Sequence, residues 1–206
     1  MVQTPTLERP VEPSPPYITY EQFLCDPAID ERSEWVDGRV VPMATVAELH
    51  NLLTGWLIQV LRGCIQDEGL GRIYHEPFNQ KLPASSGRSP DIMVVLAEHY
   101  DRVRSNYLDG PADVVIEVLS RSTAGVDRGD KYLEYEAGGV PEYWLLDPQR
   151  QVAEFYQLDS SGRYQLVPLS SDGRYMSAVL PGFWLDVAWL WSRPPARVVE
   201  AALGLR

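Results

Sequence analysis

The sequence predicts an α/β protein built on a central mixed β-sheet flanked by helices. Three observations predict it. Residues 90–96, "PDIMVVL", and 113–119, "DVVIEVL", are apolar runs of strand length, the pattern of strands buried on both faces. Residues 127–137 suit a helix, Gly138 and Gly139 supply its stop, and 142–148, "EYWLLDP", form another buried strand. Strand, helix and strand in so short a span make a βαβ crossover, which pairs its two strands in parallel.

The remaining elements follow in chain order. Residues 1–16 hold five prolines and little apolar bulk, which predicts an extended, disordered tail ahead of one domain over 17–206. Thr19 can cap a short helix carrying Tyr20, Phe23 and Leu24. "SEWVDGRVVPMA" reads as a hairpin turning at Asp37-Gly38, a favoured turn pair. Leu49, Leu52, Leu53, Trp56, Leu57, Val60, Leu61 and Cys64 recur at the spacing of an amphipathic helix, which Gly69 and Gly71 end. His50 falls one residue off that stripe. "RIYHEPFNQKL" alternates as one strand and "ASSGRS" reads as a loop. A hairpin around Ser160-Ser161-Gly162 and a short C-terminal helix complete the chain.

Composition bounds the function. No apolar run reaches the ~18 residues that cross a bilayer, and the N-terminus lacks the basic and apolar regions of a secretory signal, so the expected location is the cytoplasm. Cys25 and Cys64 give neither a disulfide framework nor zinc spacing, and both read as reduced and structural. The net charge of −11 argues against a general nucleic-acid coat protein. The acidity is uneven, however. Between Lys81 and Lys131, seven basic residues nearly balance eight acidic ones, so the middle of the chain can still receive a polyanion, weakly and with strong salt dependence.

Asp91 opens one buried strand and Glu117 lies near the end of another. If the two strands are neighbours, their carboxylates converge at one sheet edge, where two anions resist joint ionisation. A hard divalent cation resolves that conflict: Mg²⁺ takes one or two carboxylates, keeps several waters and accepts phosphate oxygens. The competing reading makes Asp91 a turn cap and Glu117 the partner of an arginine. Asp127, Lys131 and Tyr135 follow at i, i+4, i+8, on one side of the next helix. Lys131 is one of two lysines, and lysine, unlike arginine, can have its pKa lowered in a dry pocket. Its plain alternative is a surface pair with Asp127. His75 and His99 stand isolated, no His/Cys cluster has zinc spacing, and neither a nucleophile elbow nor a phosphate-binding loop motif is present. Tyr143 and Trp144 read as core, and Trp184, Trp189 and Trp191 as either core or a dimer contact.

"SPDIMVVL", "DVVIEVLSRST" and "DRGDKYLEYEAGGVPEYWLLDP" together resemble the Uma type of bacterial restriction endonuclease-like proteins, within the PD-(D/E)XK nuclease superfamily. The similarity reaches upstream to "SEWVDGRVVPMA" and downstream to "VLPGFWLDV". The resemblance implies a restriction-endonuclease-like core and an endonuclease that hydrolyses DNA phosphodiesters with Mg²⁺ or Mn²⁺. It implies Asp91 and Glu117 as metal ligands, with the main-chain carbonyl of Val118 as a further one. The superfamily lysine belongs two residues after the acid, where this chain has Leu119; in this family a helix lysine takes over, here Lys131. Glu34 matches the family's upstream glutamate, as an outer metal ligand or a water-orienting group. A homodimer suits cleavage of both strands of a duplex. The alternative is a catalytically silent nuclease fold that binds nucleic acid or a protein, for which the displaced lysine and the acidic charge speak.

Overall fold

The structure, a computed structural model, describes residues 17–43, 47–83, 86–120, 125 and 127–205, and for 86, 127 and 128 the backbone alone. The proline-rich segment expected over 1–16 lies outside those residues. The buried apolar runs do become adjacent strands. β6 (Ile92–Leu96) pairs antiparallel with β8 (Val114–Val118), and β8 pairs in parallel with β9 (Glu142–Asp147), the crossover that the sequence predicts. With β3 (Gly71–His75) on one side and the hairpin β10 (Val152–Leu158) and β11 (Tyr164–Leu166) on the other, they form a six-stranded mixed sheet.

Alternation along each strand sends side chains to two cores. Ile92, Val94, Ile116 and Val118 pack with Leu53 and Leu57 of α2 (Glu48–Leu61) and with the C-terminal helices α4 (Val187–Ser192) and α5 (Ala196–Ala202), through Leu190 and Val199. Met93, Val95 and Val115 face the other way, toward Tyr135 of α3 (Tyr132–Gly138) and Tyr143. Tyr143 and Trp144 are core, as expected, while Trp189 and Trp191 are half-buried and pack against the first cluster. Gly139, in the left-handed region at φ 78°, ends α3. No helix among the described residues is long and apolar enough to cross a membrane.

A second sheet, not expected from the sequence, holds five strands in the order β2 (Arg39–Pro42), β1 (Ser33–Val36), β5 (Ser86–Arg88), β4 (Asn79–Leu82), β7 (Tyr107–Asp109). The hairpin of β1 (Ser33–Val36) and β2 (Arg39–Pro42) turns at Asp37 (φ 47°) and Gly38 (φ 75°), both in the left-handed region that a two-residue hairpin loop requires. Thr19 caps α1 (Tyr20–Cys25) through a capping box with Gln22. Two expectations fail here. "RIYHEPFNQKL" is two strands in different sheets, β3 and β4 (Asn79–Leu82), because Pro77 lacks the N–H that a continuous ladder needs. "ASSGRS" contains β5 (Ser86–Arg88), held between β1 and β4 despite its poor strand formers. Gly87 is required there: a Cβ would stand 2.3 Å from the Tyr20 ring. β7 (Tyr107–Asp109), parallel to β4, closes the sheet.

Candidate active site

The register of β6 and β8 aligns Ile92 with Ile116, so Asp91 and Glu117 stand one step further on each strand, at the same end of the pair. Both are buried, at 6% and 2% exposure. Glu117 Oε1 accepts from Lys131 Nζ at 2.9 Å and from the Tyr135 hydroxyl at 2.7 Å. The turn that carries Lys131 is a wide π-type turn, Asp127–Lys131, running straight into α3, so the i, i+4 pair points inward together. Lys131 is 8% exposed and therefore not a surface group; the side chain of Asp127 lies outside the described residues. Tyr135 is fully buried, and burial, then the Glu117 charge, hold its pKa well above the usual phenol value, which keeps it a donor.

Glu34 sits beside this pair, its Oε1 3.8 Å from Lys131 Nζ. Its carboxylate is held by Arg88 Nη1 at 2.9 Å and by the Ser89 N–H at 3.1 Å. Arg88 also grips both oxygens of Glu134 on α3, at 2.7 and 2.6 Å. Burial works against the Arg88 charge, but the two glutamates outweigh it and raise its pKa. Charges thus alternate along Glu134, Arg88, Glu34, Lys131 and Glu117, five side chains that join β5, β1, β8 and α3.

On the other side of β8, Asp91 Oδ2 accepts from the Val118 N–H at 2.6 Å, and Asp91 Oδ1 lies 3.2 Å from His50 Nε2. His50 Nδ1 meets the Val118 carbonyl at 2.7 Å. The imidazole therefore bridges two of the oxygens expected to hold a metal. Burial would lower the His50 pKa, but the Asp91 carboxylate and the Val118 carbonyl outweigh burial and raise it. A pocket of about 260 Å³ opens beside these groups, lined by His50, Thr54, His75, Glu76 and Asp91 among others. Burial first, and the Asp91 charge second, push the Glu76 carboxyl up to about 7.

The structure brings Asp91, Glu117, Lys131 and Glu34 to one region and adds His50, Glu76 and Arg88. His50 does not lie off the buried stripe of α2. Buried positions continue from it through Leu53, Leu57, Val60 and Cys64 at i+3, i+7, i+10 and i+14, while Leu49 and Leu52 are 40% and 50% exposed. That spacing was the signal for His50. His75 reaches the pocket too, whereas His99 pairs with Asp113 at 2.6 Å, away from it.

The donors fit a divalent ion by chemistry, since Asp91, Glu117 and the Val118 carbonyl are hard oxygens on adjoining backbone. Among the described residues, no three His, Cys, Asp or Glu side chains form a group that could hold a metal ion.

The family model Uma2, described as "Putative restriction endonuclease", matches residues 20–188. The chain belongs to the Uma2 family. An uncharacterized protein from Synechocystis sp. is 28% identical over 143 residues, 69% of this chain and 81% of its own. The crystal structure of a putative nuclease belonging to DUF820, from Anabaena variabilis, superposes with a TM-score of 0.71 at 20% identity, covering 85% of this chain and 98% of that one. The second likeness is one of fold alone.

The burial of Glu76 links folding stability to pH. Glu76 has a raised pKa, so its contribution is fully present below the unfolded value near 4.5 and is lost as pH rises through about 7. With divalent ions chelated, Glu76→Gln is expected to remove roughly 1–2 kcal/mol of the stability loss between pH 5 and 8, after allowance for its partial exposure. Denaturant melts of both proteins across that range check it; parallel pH profiles would dismiss the burial of Glu76 as a cost.

Proposed function

We propose that this Uma2 protein is a metal-dependent endonuclease of the PD-(D/E)XK type, hydrolysing phosphodiester bonds of DNA. The observation that carries the reading is the meeting of Lys131 and Tyr135 on Glu117, which, like Asp91, stands one residue beyond the Ile92–Ile116 pair. A lysine displaced from its usual strand position still reaches the second acid, from the helix.

Asp91 and Glu117 would hold Mg²⁺ or Mn²⁺, and the Val118 carbonyl has a second lone pair for it. When bound, such an ion polarises a phosphoryl oxygen and makes water a better nucleophile near neutral pH. The protein's part is to orient. Lys131 Nζ, poised between Glu117 and Glu34, is the donor that would align the attacking water in line with the scissile bond. Tyr135 keeps the Glu117 carboxylate in a fixed rotamer, and Glu34 holds Lys131 from its far side. Glu34, already committed to Arg88 and the Ser89 N–H, acts here as an outer group rather than a direct ligand.

The test is cleavage of supercoiled plasmid at low salt with Mg²⁺ or Mn²⁺. Wild type is expected to nick, Asp91→Ala to be inactive, and Lys131→Ala to be slowed about 10²-fold or more while retaining metal affinity. Linear product without nicked precursor would call for two copies acting together. Absence of cleavage by wild type with metal bound would sink the reading in favour of a silent nuclease fold used for binding. A Lys131→Ala variant as fast as wild type would remove the lysine from the mechanism.

A further inference from the structure

We propose that the face of α2 carrying Thr54 and Gly55 is a seat for the substrate strand. One nucleotide next to the scissile phosphate lies on this face, and Arg32 takes its phosphate. That the ligand is DNA rests on the nuclease reading above; that the face is a seat rests on α2 itself.

Gly55 stands in the interior of α2, where glycine is the least favourable residue after proline. The packing gives no reason for it. Its backbone is helical rather than left-handed, and a Cβ built on it would meet no atom within 4 Å. Gly63, in the turn that follows α2, is different: a Cβ there would collide with the Glu200 side chain, so packing demands the glycine. What the missing Gly55 side chain keeps open is the pocket of about 260 Å³, which Gly55 lines with Thr54, Glu76 and Asp91 among others.

Thr54 points to the same wall independently. A helical threonine ordinarily turns its hydroxyl back to a carbonyl three or four residues earlier. Thr54 Oγ1 is instead buried without a hydrogen-bond partner among the described residues, a state that costs stability until a polar group meets it. The pocket has the size of part of a ligand, since whole small molecules fill roughly 300 Å³ or more. One unit of a longer chain suits it. A strand whose scissile phosphate sits at Asp91 must lay the adjoining sugar beside it, and glycine is the residue that lets a ligand approach a backbone closely. The charge fits as well. Arg32, with 54% of its side chain exposed, reaches Glu76 on the pocket wall at 4.0 Å. So loose a pair leaves the guanidinium fork available to a phosphate.

The experiment measures three things on the full chain: the melting temperature, the affinity for a fluorescein-labelled DNA duplex with Ca²⁺ in place of Mg²⁺, and plasmid nicking with Mg²⁺. Gly55→Ala is expected to raise the melting temperature by roughly 1–4 °C while weakening duplex binding about fivefold. Gly55→Leu, which fills the pocket from an exposed helix position, is expected to fold as well as wild type and bind about a hundredfold more weakly. Thr54→Val, which keeps the shape and removes the hydroxyl, should weaken binding about threefold without loss of stability. Arg32→Gln should reduce the salt dependence of binding by about one phosphate contact. Higher stability with poorer binding is a combination that a merely structural glycine cannot produce. A Gly55→Leu protein that binds and nicks like wild type would overturn the seat and leave the nuclease standing. Gly55 variants that lose stability and binding in step would overturn it too, by making the glycine a requirement of the fold. Wild type that binds the duplex without nicking, with binding lost in Gly55→Leu, would keep the seat and remove the nuclease. Wild type that neither binds nor nicks would remove both.

Discussion

Glu117→Ala is expected to abolish cleavage and also to destabilise the fold by about 3 kcal/mol, the scale of breaking a buried ion pair by removing one partner. The sequence alone suggests otherwise, since deleting one of two repelling acids should relieve strain. The structure reverses that expectation. Lys131 and Tyr135 both donate to Glu117 Oε1, and all three are buried. Without the carboxylate, the lysine charge is left beside Glu34 at 3.8 Å, and the Tyr135 hydroxyl loses its Glu117 acceptor. For a chain of this length the loss lowers the melting temperature by roughly 6–12 °C. Glu117→Gln, which keeps an acceptor, should be inactive yet milder in stability. Pairing Glu117→Ala with Lys131→Met should recover much of the loss, because it removes the cation together with the carboxylate that neutralises it. A melting temperature unchanged in Glu117→Ala would show that Lys131 and Tyr135 find other partners at no cost.

That pairing also shows what the sequence could and could not disclose. Adjacent burial of Asp91 and Glu117 was legible because β6 and β8 are uninterrupted apolar runs, and a carboxylate inside such a run is conspicuous. The inward reach of Lys131 was legible from its four-residue step to Tyr135, although the choice between a surface pair and a site needed the third dimension. The second sheet was not legible. β5 is three residues long and contains a glycine that its packing against Tyr20 demands, so local preference says loop and only the flanking strands say otherwise. Glu76 was hidden because the pairing of β3 with β6, which sets His75 opposite Ile92, is what brings it beside Asp91, and that pairing is not a local property of the chain. His50 was hidden for a different reason: the leucines at 49 and 52 drew the helix stripe one position off, toward a face that the structure leaves exposed.

Arg88 is a third residue whose part in the site the sequence left unmarked, and its removal is expected to be as damaging as that of Glu117. Arg88→Met should cost about 3 kcal/mol, because Glu34, 7% exposed, would lose its close guanidinium partner and retain, among the described residues, the Ser89 N–H and a lysine at 3.8 Å. The loss also has a geometric part. Arg88 grips Glu134 with two donors and Glu34 with a third, and so clamps α3 to the five-stranded sheet immediately beside Lys131. Releasing the clamp frees the helix that aims the lysine, so cleavage should fall even at temperatures where the variant remains folded. Lysine is no substitute, since an ammonium cannot offer a planar fork to one carboxylate and a further donor to another. The two parts separate experimentally. Adding Glu34→Gln to Arg88→Met should restore much of the stability, because it removes the uncompensated anion, but it should not restore the cleavage rate, because the grip on Glu134 is still missing. Recovery of both together would mean that Arg88 serves only to neutralise Glu34. Recovery of neither would place the Arg88 contribution in its hold on α3 alone.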